Sequence, residues 1–231
     1  MTLALGFKDI YNQISCLTSE LISISLCNDQ NFPNIVSFSN VIKGDTFIQT
    51  EISFTNNSDL SIVLKNVPYI DIYHEIDRSK AYNLKMVDGA LIQMMYTFIN
   101  NEITSHRLAF FPSPDLADFQ NNSEIYDNDE LYSEVIMKNL VTFPVRFDFN
   151  ACDKLFVELH HPKSHLTLGQ YANCRIPVSS PVTPYFFLDF ILRNFYNTAH
   201  KKYCEEFTVF KDGFLPTIVN KENKVIHIKV A

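Results

Sequence analysis

The chain has 231 residues, of which 46% are hydrophobic, and it carries 20 Phe, no Trp and a formal net charge of −7. This composition is typical of a globular domain with a substantial core, and it excludes disordered, coiled-coil and fibrous proteins. The negative charge argues against a protein that coats nucleic acid with a broad basic face.

Charge is distributed unevenly along the sequence. Seven acidic residues and no Lys or Arg lie between Ser113 and Glu134, so this segment alone accounts for the net charge of the chain. From Lys138 to Arg175, five basic residues stand against three acidic ones, which favours a local cationic patch that binds nucleic acid. The acidic segment 113–134 is predicted to be an exposed helix, either a docking surface for a basic protein partner or a solvated face.

The sequence predicts a location in the cytoplasm and no contact with a membrane. No apolar run approaches the roughly 18 residues that a membrane span needs, and no basic segment precedes the first apolar residues. The cysteines are scattered and odd in number, unlike a secreted disulfide framework, so reduced thiols are expected. They are Cys16, Cys27, Cys152, Cys174 and Cys204.

Hydrophobic spacing predicts the elements of the first half in chain order. They are a helix over 7–27, a strand over 46–55, a strand over 61–67, a helix over 69–80 and a strand over 83–89. A β-hairpin follows in LIQMMYTFINNEITSHRLAFF, because Asn100 and Asn101 tolerate the left-handed backbone of a tight turn. With that turn, Met95 is expected to face His106 across the hairpin.

The second half contains a strand, a helix and a final strand. The stretch TFPVRFDF alternates, which places its aromatic residues on one face and Arg146 with Asp148 on the other. A helix is predicted over 183–203, with Thr183 as its N-cap and Pro184 as its first residue. The alternating stretch KVIHIKV at the C-terminus predicts the last strand.

Hairpins between helices predict one α+β domain, residues 1–231, built on a mostly antiparallel sheet with flanking helices. Residues 88–231 form its core, and residues 1–87 add the N-terminal helices and strands. The chain has no regular βαβ alternation and no glycine-rich phosphate loop, which argues against a doubly wound nucleotide-binding sheet.

The stretch ELHHPKSHLTLGQYANCRIPV concentrates histidine, cysteine and arginine between residues 158 and 178. If residues 155–161 and 165–168 are strands joined by a short loop, His161 and His165 are cross-strand neighbours with Cβ atoms about 4.5–5.5 Å apart. The next pair on that face is Leu159 with Thr167, and His160 points to the opposite face.

A histidine pair of this kind fits acid–base catalysis, because imidazole titrates near neutral pH. One ring acts as base and the other as acid, as in ribonucleases that cleave through the 2′-hydroxyl group, and a cation stabilises the charge on the phosphate. Asp148 either orients a histidine or pairs with Arg146. The cations that could bind the substrate are Arg107, Arg146, Lys163 and Arg175.

Two other interpretations stay open. Cys152, His161, His165 and Cys174 are four ligand types that suit zinc, although zinc-binding cysteines normally come as closely spaced pairs. The histidines could also be purely structural, with each ring bonded to backbone, and Arg146 with Asp148 would then be a solvated ion pair.

Two stretches, DGALIQMMYTFINNEITSHRLAFFPSP and HPKSHLTLGQYANCRIPVSSPVTPYFFLDFILRNFY, resemble an uncharacterised bacterial family known only as a domain of unknown function. Together they cover much of the chain from Asp88 to Tyr196, and SHLTLGQ…CRIPV…TP…FY is the distinctive part. The resemblance implies no established activity and no catalytic residues. It implies an accessory gene of bacteria, connected with defence against phage.

The sequence therefore predicts a nuclease-like protein that acts on phosphodiesters without a cofactor, with its site at His161 and His165. The alternative is a non-catalytic subunit that binds a protein partner in a larger assembly. An enzyme presents the histidines and an arginine in one open concavity, whereas a binding module buries or scatters them.

Overall fold

The computed structural model describes residues 5–42, 45–55, 67–114, 142–171 and 173–230. Within these ranges one antiparallel sheet packs against helices, which confirms the predicted α+β class. The strands are β1 (Cys27–Gln30), β2 (Asn34–Ile42), β3 (Asp45–Ser53), β4 (Leu84–Met86), β5 (Leu91–Ile99), β6 (Glu102–Phe111), β7 (Val145–Asn150), β8 (Ser164–Leu168) and β9 (Ile176–Pro177). The helices are α1 (Phe7–Ser23), α2 (Tyr69–Arg78), α3 (Pro184–Phe195) and α4 (Asn197–Tyr203), followed by a 3₁₀ turn at Glu222–Lys224.

The sheet runs in the order β1-β4-β5-β6-β7-β8-β9. Strand β3 also pairs with β5, beside Tyr96 to Ile99, and β2 pairs with β3 to extend the sheet as a hairpin. The predicted strand over 61–67 and the predicted acidic helix over 113–134 lie almost entirely outside the described residues, at 61–66 and 115–134. No described helix is long and apolar enough to cross a membrane. All the cysteines are free thiols.

The hairpin of β5 and β6 turns at Asn100 and Asn101, as predicted, and both residues have positive φ, 49° and 69°. The predicted register is wrong by one residue. Strand β6 contains an extra residue, Thr104, opposite the step from Thr97 to Phe98, so Arg107 rather than His106 pairs with Met95. This bulge re-aims the side chains of β6 relative to β5.

One face of the sheet forms the main core against α1 and α3. A row of apolar side chains crosses four paired strands: Met94, Leu108, Phe147 and Leu166. Each helix covers this row with the apolar side chains of one face, as the helical period places them. These side chains are Ile10, Ile14, Leu17, Leu21, Phe187, Leu188 and Ile191.

The cap of α3 is confirmed, because the Thr183 hydroxyl accepts a hydrogen bond from the Phe186 backbone N–H. The predicted continuous helix over 183–203 is wrong, because the backbone leaves the helical conformation at Tyr196 (φ −137°, ψ 47°). The buried Tyr196 hydroxyl donates to Asp88, 2.7 Å away, and this bond holds the break in place. The predicted final strand is also wrong, since among the described residues of 224–230 only Ile228 forms a bridge, with Val178.

Helix α2 covers part of the opposite face of the sheet. Its Ile72, Tyr73 and Ile76 form a second core with Leu91 and Phe111, and the predicted helix over 69–80 is thereby confirmed. No helix of the described residues covers the remainder of that face, over the middle of β5 to β8.

Candidate functional site

A cavity of about 980 Å³ lies on this face of the sheet, beside α2. Its floor is formed by residues of five paired strands, β3 and β5 to β8, in each of which every second side chain points to the same face. This volume is at the upper end of the range for small-molecule sites. The cavity contains most of the residues that the sequence places in a site.

The central row of the floor is Met95, Arg107, Asp148 and His165, one residue from each of β5, β6, β7 and β8, each directly paired with the next. Asp148 forms ion pairs with two arginines. Its Oδ1 lies 3.1 Å from Arg107 Nε, and its Oδ2 lies 3.4 Å from Arg146 Nη2. Asp148 therefore positions the arginines and does not hydrogen-bond a histidine within the described chain.

Among the residues that the structure describes, positive charge exceeds negative charge at this end of the cavity. The guanidinium groups of Arg107, Arg146 and Arg175 line it, with Asp148 as the carboxylate among them. Burial lowers the pKa of Arg146, and the charges of Arg107 and Arg175 act in the same direction, whereas Asp148 opposes them. Arginine nonetheless stays protonated, so the site holds cations that an anion would stabilise.

Two polar atoms beside the central row have no hydrogen-bond partner among the described residues. Arg146 and Thr167 are cross-strand neighbours on β7 and β8, and both line the cavity. The Nε of Arg146 and the hydroxyl oxygen of Thr167 are buried, and neither makes a hydrogen bond within the described residues. Since buried polar atoms are normally paired, this position favours a bound ligand with acceptor oxygens, or water.

His165 has a defined orientation. Its Nδ1 lies 2.9 Å from the carbonyl oxygen of Pro162, which can only accept, so Nδ1 carries the proton and donates it. The free lone pair of the neutral ring is then on Nε2. Burial lowers the pKa of His165, and the Asp148 carboxylate opposes this shift. His165 is therefore neutral at pH 7 and can accept a proton.

His161 contacts His165, but the backbone between them does not form the predicted hairpin. The strand predicted over residues 155–161 and the pairing of Leu159 with Thr167 are wrong, because β8 pairs with β7 and residues 153–160 form tight turns closed by a bridge between Val157 and His161. The rings of His161 and His165 are nevertheless in contact, with centroids 5.1 Å apart.

The turn before His161 contains one residue with a left-handed backbone conformation. Leu159 has φ of 67°, a left-handed conformation that costs an L-residue about 1–2 kcal/mol. His160 is exposed beside it, while His161 lines the cavity. Local strain of this kind concentrates at functional sites and must be held by the surrounding structure.

The other predicted site residues lie elsewhere. Lys163 does not line the cavity, and its Nζ pairs with Asp153, 2.6 Å away. Cys152 is exposed, Cys174 is half-buried, and neither lines the cavity, so the four candidate zinc ligands are not brought together. Among the residues that the structure describes, no group of three or more His, Cys, Asp or Glu is placed to hold a metal ion.

Sequence reasoning gave no role in the site to several polar residues of the cavity, namely Glu51, Thr97, Ser105, Thr167 and Tyr171. Thr167 had a signal, because it lies two residues after His165 and therefore shares its strand face. Tyr171 is 77% exposed at the rim and had none.

One family model, described as an uncharacterized conserved protein (DUF2290), matches residues 26–230. The chain belongs to the DUF2290 family. The DUF2290 match begins well before the predicted core at residue 88 and includes every strand that lines the cavity, while α1 precedes it. No curated protein and no solved structure matches the chain.

Proposed function

We propose that this cavity binds a phosphodiester and that His161 and His165 cleave it by acid–base catalysis without a metal ion. The observation that carries this proposal is the unpaired, buried edge of Arg146 and Thr167, which lies beside two further arginines and the histidine pair in one concavity. An enzyme is expected to present both histidines and an arginine in one concavity, and their common place in this cavity favours the enzyme over the binding module.

Phosphate suits the cationic end of the cavity better than a neutral group does. Arginine presents N–H donors in a planar fork that matches the oxygens of phosphate. The Nε of Arg146 and the hydroxyl of Thr167 supply two unused donors at adjacent positions on β7 and β8. A bound phosphate would satisfy both donors and balance the excess positive charge.

The histidine pair supplies the proton transfers of the proposed cleavage. The Nε2 of neutral His165 accepts the proton of a ribose 2′-hydroxyl group as the 2′-oxygen forms a bond to phosphorus. The bond from phosphorus to the 5′-oxygen breaks, and His161, as the acid of the pair, donates a proton to that leaving oxygen, which yields a 2′,3′-cyclic phosphate. Rings 5.1 Å apart can each reach one of the two oxygens of an in-line displacement. Arg107 and Arg146 stabilise the charge that develops on the phosphate.

A cleavage assay tests this function. Labelled single-stranded RNA, single-stranded DNA and duplex DNA are incubated with the protein, with and without EDTA, beside the His161→Ala/His165→Ala double variant. His160→Ala is the matched control, because His160 is exposed in the same loop. We expect RNA cleavage that survives EDTA, persists in the control and is lost in the double variant. Cleavage that EDTA abolishes, or that the double variant retains, contradicts the proposed mechanism.

The second candidate function is a non-catalytic protein-binding subunit. The exposed apolar side chains of β2 favour it, since Val36, Phe38 and Val41 are 39%, 47% and 69% exposed on a nine-residue strand that pairs only with β3 among the described strands. Such strands are sites of docking by other chains. Folded protein that cleaves no substrate supports this function. A place in phage defence remains a prediction from the resemblance alone.

A further inference from the structure

A second polar row crosses the cavity floor beside the arginine row. Glu51 on β3 pairs with Thr97 on β5, and Thr97 pairs with Ser105 on β6. All three line the cavity. Ser105 precedes Arg107 by two residues on the same strand face, so the two rows lie about 7 Å apart.

The polar groups of this row are available to a ligand. The hydroxyl groups of Thr97 and Ser105 make no hydrogen bond to any described residue, and Glu51 is half-buried. The Oε1 of Glu51 accepts a hydrogen bond from the Gln49 amide, 2.7 Å away, and no Lys or Arg in the described ranges pairs with this carboxylate. One carboxylate and two hydroxyl groups therefore face the cavity at adjacent positions.

The cavity is thus polarised along its floor. The arginine end attracts an anion, whereas the carboxylate of Glu51 repels one and accepts hydrogen bonds from neutral hydroxyl groups. A ligand that fits both ends is anionic at one point and carries hydroxyl groups about 7 Å away. A phosphate and the vicinal hydroxyl groups of its neighbouring ribose have this arrangement, and carboxylates recognise ribose hydroxyl groups in other nucleotide sites.

We propose that Glu51, Thr97 and Ser105 bind the 2′-hydroxyl group of the ribose on the leaving-group side of the phosphate that the arginines hold, together with its 3′-hydroxyl group where the strand ends at that ribose. This inference rests on the proposed phosphodiester function, and it adds a selectivity that the cleavage chemistry does not require. The 2′-hydroxyl nucleophile belongs to the sugar before the phosphate, whereas this subsite recognises the sugar after it.

Two dinucleotide probes separate the two sugars. In both, the first nucleoside is 2′-deoxyuridine, which lacks the nucleophile and keeps the probe intact, and the second is either uridine or 2′-deoxyuridine. Affinities are measured by calorimetry for the wild-type protein and for Glu51→Gln and Thr97→Val, which preserve side-chain shape. Glu102→Gln is the control, because Glu102 is exposed and lies outside the cavity.

We expect the wild-type protein and Glu102→Gln to bind the uridine probe about tenfold more tightly than the deoxyuridine probe, as the loss of a charged hydrogen bond predicts. Glu51→Gln should reduce this ratio to about threefold or less, and Thr97→Val should reduce it in the same direction. Equal binding of the two probes by the wild-type protein, or an unchanged ratio in Glu51→Gln, overturns the ribose subsite and leaves the phosphate site standing. Failure of both probes to bind overturns the phosphate site as well.

Discussion

Replacing His106 with Gln is expected to remove part of the acid sensitivity of the fold. His106 lies on β6 and is 5% exposed, and its ring contacts the rings of Tyr96 and Phe149. Its Nε2 accepts a hydrogen bond from the Val182 backbone N–H at 2.9 Å, so this nitrogen is unprotonated in the folded protein. Burial lowers the pKa of His106 from 6.5 to about 4, although the Asp148 carboxylate acts in the opposite direction.

The magnitude follows from the difference in pKa between the folded and unfolded states. Above pH 6.5, His106 is neutral in both states and contributes no pH dependence. As the pH falls below 6.5, the unfolded chain takes up a proton and the folded protein does not, so the free energy of unfolding decreases until about pH 4. The decrease from His106 alone is about 2 kcal/mol at pH 5 and about 3 kcal/mol at pH 4, as upper values.

Urea denaturation of the wild-type protein and His106→Gln at pH 7.5, 6, 5 and 4 measures this contribution. Gln does not titrate, and its amide oxygen can accept the hydrogen bond from Val182. All other titratable groups are common to the two proteins, so their contributions cancel in the comparison. Between pH 7.5 and 5 the wild-type protein should lose about 2 kcal/mol more than the variant. Equal losses in the two proteins refute the reasoning.

Two further substitutions test the site and the fold. Asp148→Asn removes the carboxylate that Arg107 and Arg146 share, so the free energy of unfolding by urea should fall by about 3 kcal/mol, while inorganic phosphate should bind several times more tightly by calorimetry. Unchanged stability or weaker phosphate binding contradicts this assignment. Thr183→Ala removes the cap that accepts from Phe186 and should cost about 1 kcal/mol by thermal unfolding, whereas Thr183→Ser should retain most of the stability. An Ala variant as stable as the Ser variant contradicts the role of the cap.

Local features of the sequence predicted the elements that depend on neighbouring residues. The Asn100-Asn101 turn and the Thr183 cap follow from backbone preferences and side-chain hydrogen bonds within a few residues. The alternation of Arg146 and Asp148 with buried residues in β7 likewise follows from the two-residue period of a strand.

Features that depend on distant contacts were not predictable. The bulge at Thr104 has no local signature, yet it decides which residue of β6 pairs with Met95. The break at Tyr196 depends on a hydrogen bond to Asp88, more than a hundred residues earlier in the chain. Local patterns carry no information about such partners.

In the candidate site, too, one part depends on neighbouring residues and the other on distant contacts. His161 and His165 are four residues apart, so a short loop brings their rings together even though the predicted hairpin is wrong. The arginines and Glu51 meet in one cavity only because β3, β5, β6 and β7 are neighbours in the sheet. Strand order sets this arrangement, and the sequence alone did not supply it.

The central claim is that Arg107 and Arg146 hold a phosphate in the cavity. It is tested most directly by the fluorescence anisotropy of a labelled single-stranded DNA tetramer, which lacks the 2′-hydroxyl nucleophile and stays intact. Arg107→Gln and Arg146→Gln should each weaken binding at least about tenfold at low salt, because each removes a charged contact to phosphate. Arg78→Gln is the control, because its side chain is 77% exposed on α2 and pairs with Glu75. Binding by both cavity variants that equals binding by this control would contradict the claim.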